Sequence, residues 1–171
     1  TMPGGLQPGL EATSYFLPGQ STYCNGSHVA EVEVDTETGA VRTLRYTVAH
    51  DSGRLINPLV VDGQVEGGVA HGIGNALYEW MRYDERAQPL TTTFADYLLP
   101  IAADVPPLGL THLESPSPLN PLGVKGAGEG GTIPAAAALI AAVENALEPF
   151  NIQLTEAPIT PARITELLWS A

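Results

Sequence analysis

Basic residues are scarce in this chain: 7 Lys and Arg stand against 19 Asp and Glu, a formal net charge of −12. Binding a nucleic-acid backbone or an anionic membrane surface needs clustered cations, so the balance argues against both. It reads instead as an acidic, solvated surface. Cysteine is scarcer still. Cys24 stands alone, so no disulfide can close within the chain and no cysteine set can hold zinc or an iron–sulfur cluster. It is assigned no role. His28, His50, His71 and His112 are scattered without metal-ligand spacing, and no protein-held metal is expected. No run is long and apolar enough to span a bilayer, and the first residues lack the basic and apolar regions of a signal peptide, which makes a cytoplasmic protein the expectation. With 44% hydrophobic residues in 171, the chain can still bury the core of one domain.

Residues 1–27 are rich in Gly, Pro, Ser and Thr and read as an extended lead-in, natural for a segment of a larger protein. The pattern changes at His28. Val32 and Val34 alternate with Glu31 and Glu33, and Leu44, Tyr46 and Val48 alternate with Arg45 and Thr47, across a turn at residues 35–39. That is a β-hairpin with one wet face. Asn57 and Pro58 then open a helix, Asn as N-cap and Pro in the first turn, expected to run to about Met81.

At roughly 100° per residue, Val61, Val65, Val69, Ala70, Ile73, Ala76, Leu77 and Trp80 share one side of this helix. Gly63, Gln64, Gly67, Gly68, His71, Gly74 and Asn75 share the other. Glu66 falls awkwardly on the apolar side. Five glycines (63, 67, 68, 72 and 74) would cost on the order of 4–5 kcal/mol relative to alanine, about 1 each. Such a helix needs another element, or a ligand, pressed against its backbone.

Residues 91–105 are ambiguous between strand and loop, and a strand is expected within residues 108–114. Residues 115–122 are too proline-rich to be regular. A glycine loop, residues 123–131, leads into an alanine-rich helix from Thr132 to about Leu147, with Thr132 or a neighbour as its cap. A last short helix is expected over about residues 160–169. The order of elements predicts an α+β fold, with hairpin and short strands packed on a glycine-rich and an alanine-rich helix, and residues 28–171 acting as one segment of a domain.

The run Gly123-Val124-Lys125-Gly126-Ala127-Gly128-Glu129-Gly130-Gly131-Thr132 is the most informative. Glycines let a backbone press against a ligand, and a following helix offers unpaired amides. Glu129 sits between small neighbours, the placement a general base needs. The loop lacks the Gly-Lys-Ser/Thr ending of a P-loop. Its G-x-G-x-x-G match follows a proline-rich connector and not a strand, which speaks against a dinucleotide site. A flexible hinge with a solvated Glu129 stays open on this pattern alone.

The run Asp51-Ser52-Gly53-Arg54-Leu55-Ile56-Asn57-Pro58, then Gly63-Gln64-Val65-Glu66-Gly67-Gly68, then Gly72-Ile73-Gly74, resembles the molybdopterin-binding subunits of the xanthine dehydrogenase, aldehyde oxidoreductase and carbon monoxide dehydrogenase family. The loop at residues 123–132 resembles that family's active-site Glu loop, in the same order. The resemblance implies the C-terminal part of a molybdenum hydroxylase subunit, active only when assembled. Its substrate would be an aldehyde, an N-heterocycle or a similar small molecule, oxidised with water-derived oxygen. It implies cofactor contacts at Gly63 and Gln64, a lining from Lys125, Gly126, Ala127 and Gly128 largely through backbone, and Glu129 as the base. It implies molybdopterin, with or without a nucleotide extension, and iron–sulfur clusters and FAD on partner chains. His71 stands where relatives often carry Gln and is expected to be an interior histidine. The alternative is a non-catalytic binding or structural module that keeps the fold.

Overall fold

The computed structural model describes residues 9–17 and 19–170. The hairpin pairs β1 (Asn25–Val34) with β2 (Val41–Asp51), antiparallel. Asp35 makes the turn: its carboxylate accepts the Glu37 and Thr38 amides at 2.8 and 3.2 Å, and Gly39 takes φ +72°. One detail departs from strict alternation. Glu31 pairs with Arg45 but Val32 pairs with Thr43, so Leu44 is an extra residue in a bulge and turns outward. Beyond the bulge, Tyr46 and Val48 point inward and are fully buried.

Helix α1 (Pro58–Leu77) starts as expected, with Asn57 in extended conformation and its side chain accepting from the Val60 amide. It stops four residues short of Met81, where the Tyr78 and Glu79 amides both turn back to the Gly74 carbonyl. The chain then runs without helix or strand through residues 91–105 and returns as β3 (Leu108–His112), parallel to β2. The sheet order is β1-β2-β3. Parallel pairing requires a long crossover, and α1 with its trailing loop supplies it.

Helix α2 (Ala135–Ala146) begins three residues later than expected. Thr132 does not cap it with its side chain; residues 131–134 form a preceding turn in which the Thr132 carbonyl accepts the Ala135 amide at 3.2 Å. A short 3-10 turn (Glu148–Phe150) follows, and α3 (Pro161–Ser170) closes the chain, with the Thr160 hydroxyl accepting the Arg163 amide.

Two apolar clusters hold these elements. Tyr46, Val48, Val65, Val69, Ile73, Ala76, Leu77, Ala135 and Leu139 join the sheet to α1 and α2. Val143, Leu147, Ile152, Ile159 and Ile164 anchor the C-terminal helices. The α+β layer expected from the element order is the observed architecture.

The packing of α1 on α2 accounts for part of the glycine cost. A Cβ on Gly68 would lie 2.8 Å from Gly131 and from the Thr132 amide nitrogen; one on Gly72 would strike Ala135, and one on Gly131 would strike the Val65 carbonyl. Gly68 is therefore buried, and Gly74 is buried against Glu79 and Pro100, although the helical wheel placed both opposite the apolar side. Glu66 and His71 are corrected the other way. Both are exposed: Glu66 because α1 is gripped on two flanks and not on one stripe, His71 because it stays on the polar side of the helix and not in the interior.

Candidate functional site

Around Gly63 and Gly67 the helix is bare. A Cβ at either position would meet nothing within 4 Å. Gln64 lies between them, exposed, and its amide nitrogen comes within 3.5 Å of where a Cβ on Gly128 would stand. The two glycine-rich motifs, far apart in sequence, thus meet side by side. The glycines of α1 divide accordingly: 68 and 72 serve packing, whereas 63 and 67 leave open backbone on the Gln64 side. Such an open face fits a flat polar group laid against the helix.

Each end of the loop is fixed. At its start, the Lys125 amide donates to Ser52 at 2.8 Å, and the Arg54 and Ser117 amides both donate to the Gly123 carbonyl at 3.0 Å. Gly53 (φ +71°) and Gly123 (φ +69°) face each other there with no room for a Cβ on Gly53. Asn120 closes the proline-rich connector, giving its side-chain N–H to the Val124 carbonyl at 2.8 Å and accepting the Val124 amide at 3.1 Å. At the far end, the Thr132 and Ile133 amides donate to the Glu129 carbonyl at 3.0 and 3.1 Å. Glu129 therefore opens the turn that leads into α2.

The Lys125 side chain turns inward, its ammonium donating to Asp51 at 3.2 Å. Asp51 also accepts the Gly53 and Ser115 amides at 2.8 and 3.2 Å. Burial works to raise the Asp51 pKa, but these hydrogen bonds and the Lys125 cation outweigh it and hold the carboxyl well below the ordinary range. Of the loop residues expected at a cofactor, Gly126 and Gly128 are exposed and Lys125 and Ala127 half-buried.

Glu129 is exposed, and among the described residues no hydrogen bond or ion pair engages its carboxylate. It borders a cleft of about 230 Å³ whose other walls include Tyr23, Cys24, Ala127 and Ile133. Thr22 pins this side of the loop, its carbonyl accepting the Gly126 amide at 2.9 Å. Residues 22–24 were missed as part of the site, since nothing local in the sequence marks a coil segment that will pair with a loop a hundred residues on. Asp51 was quoted only within a motif, and its partners explain its place. Among the described residues no group of three or more His, Cys, Asp or Glu could hold a metal ion.

A bare helix face with an amide on it thus adjoins a glycine loop carrying a free carboxylate. Residues 5–106 match the family model described as a molybdopterin cofactor-binding domain, and the chain belongs to that family. The nicotine 6-hydroxylase large subunit of Paenarthrobacter nicotinovorans is 42% identical over 162 residues, covering 95% of this chain and 20% of that protein. The structure of quinoline 2-oxidoreductase from Pseudomonas putida 86 superposes with a TM-score of 0.84 at 45% identity, covering 85% of this chain and 19% of the other. Reconstituted CO dehydrogenase from Oligotropha carboxidovorans gives a TM-score of 0.89 at 32% identity, covering 98% and 21%. The chain thus spans about a fifth of the length of the relatives it matches.

Proposed function

We propose that this chain supplies one wall of the cofactor and reaction site of a molybdenum hydroxylase, and that Glu129 is its general base. The observation that carries this reading is the free Glu129 carboxylate, held next to Gly128 where that residue abuts Gln64. A base needs access to a proton and freedom from competing partners; a structural carboxylate would have partners, as Asp51 does.

When bound, molybdopterin supplies a molybdenum centre that takes up two electrons and acidifies a water-derived oxygen. The residues of this chain bind and orient around it. Gln64 would hydrogen-bond the pterin, and the open backbone at Gly63 and Gly67 would let it approach α1. Residues 125–128 line it through main-chain groups, since the Lys125 ammonium is already spent on Asp51. Glu129 would accept the proton from the water-derived oxygen. The remaining walls come from the rest of the subunit, and iron–sulfur and flavin partner chains carry electrons away.

The substrate class we favour is a small N-heteroaromatic ring. Nicotine and quinoline, named for two of the relatives above, share an electron-poor ring carbon beside nitrogen. Tyr23, Ala127 and Ile133 give the Glu129 cleft an apolar wall suited to a flat ring.

The test is Glu129→Gln in the assembled enzyme at matched molybdenum content. Gln preserves size and polarity but cannot accept a proton, so substrate-driven reduction of the metal should slow by roughly 10²- to 10⁴-fold. Near wild-type reduction would make Glu129 structural and leave the chain a binding module.

A further inference from the structure

Three histidines that the sequence scatters converge beneath the Glu129 loop. His50 on β2 is opposite Gly26 of β1 on one side and His112 of β3 on the other. It is 1% exposed, and neither ring nitrogen has a hydrogen-bond partner among the described residues. A buried polar ring left unpaired is unfavourable and asks for a reason.

Directly over the ring lies Gly130. A Cβ there would run into His50 Nε2, and would lie 3.0 Å from His50 Cδ2 and 3.1 Å from Cys24 Sγ. Gly130 is not among the positive-φ glycines of the chain, so packing against His50 and Cys24, and not backbone conformation, demands glycine. From the neighbouring strand, His112 meets the His50 ring edge-on, with centroids 5.9 Å apart and planes at 82°. His112 is itself tied to α1 through Asp62, Nε2 to Oδ1 2.6 Å. Gly130 and His112 thus both abut the ring.

The surroundings of His50 favour its neutral form. Burial and the neighbouring His112 lower its pKa, opposed by Asp51. From β1 it faces Gly26, with His28 nearby, itself held to Tyr46 at 2.9 Å, while Cys24, just before β1, shares the Gly130 contact.

We propose that His50 is a positioning residue for Glu129: its buried ring is the seat on which Gly130 rests, and so sets where the adjoining carboxylate stands. This rests on Glu129 being the base. A carboxylate displaced by about 1 Å can lose on the order of 10²-fold in rate.

The experiment is a double-mutant cycle in the assembled enzyme, at matched molybdenum content. His50→Ala should lower kcat by about 10²-fold with little change in KM, and should add no further loss in a Glu129→Gln background, because the seat acts only through that carboxylate. Gly130→Ala disturbs the same contact from above and should also lower kcat. Gly130→Ala combined with His50→Ala should recover part of that loss, since the smaller side chain opens room for the added methyl. The proposal is overturned by an unchanged kcat in both single variants, by an equal loss in the Glu129→Gln background, or by no recovery in the paired variant. A near wild-type rate in Glu129→Gln alone overturns the base reading instead, a result distinguishable because the Gly130–His50 pair is scored independently.

Discussion

Lys125 and Asp51, 74 positions apart, form an ion pair of 3.2 Å whose side chains are only 13% and 9% exposed. The pair joins the end of β2 to the start of the glycine loop, and it removes the loop's one cation from the face where a cofactor would lie.

Replacing one member strands the other. Lys125→Met should destabilise the chain by on the order of 3 kcal/mol, since Asp51 is left buried with its charge uncompensated. Chemical denaturation at neutral pH measures it; a loss near zero would mean that solvent reaches Asp51.

The same carboxylate makes stability pH-dependent. Its pKa in the folded chain is depressed, so its contribution is fully present above the unfolded value of about 3.9 and is lost as pH falls from there through the folded value. Wild-type stability should therefore drop more steeply below about pH 4 than that of Asp51→Asn, which cannot titrate there. Parallel slopes for the two proteins would remove Asp51 from the acid response.

The glycines of α1 should separate into two classes. Gly68→Ala and Gly72→Ala press a methyl into residues 131–132 and Ala135, and should each cost about 1–3 kcal/mol. Gly63→Ala and Gly67→Ala meet nothing, and should stabilise this chain by up to about 1 kcal/mol. In the assembled enzyme the last two should lower molybdenum occupancy, because the added methyls would stand on the face proposed to receive the cofactor. Unaltered occupancy would place the cofactor elsewhere.

Gln64→Ala should reduce cofactor retention more than it reduces turnover per molybdenum. A lost hydrogen bond is worth about 1 kcal/mol net, and more where its partner stays unsatisfied. Molybdenum analysis after gel filtration, paired with activity per metal, reads the two effects separately.

Local rules were sufficient for much of the fold. The hairpin, the Asn57 cap with Pro58, the start of β3 and the final helix were all legible, because each depends on neighbours within a few residues. The stop at Leu77 was not, since the tertiary surroundings of Gly74 and Glu79 end α1 there. The exposure of Glu66 was not, since a wheel assumes one buried stripe and α1 has two gripped flanks; His71 is exposed on the side where the wheel put it, against the interior place expected of it.

For the site, the sequence by itself determined that the chain carries two glycine-rich motifs and a carboxylate flanked by small residues, and their order pointed to the family. Only the tertiary structure decided that Gln64 stands beside Gly128, that Lys125 is spent on Asp51, and that Gly130 rests on His50. The physical reason is range. Caps, turns and alternation are settled by contacts within a few positions, whereas these three juxtapositions close across 64 to 80 positions or so, and depend on how α1, the sheet and the loop pack against one another.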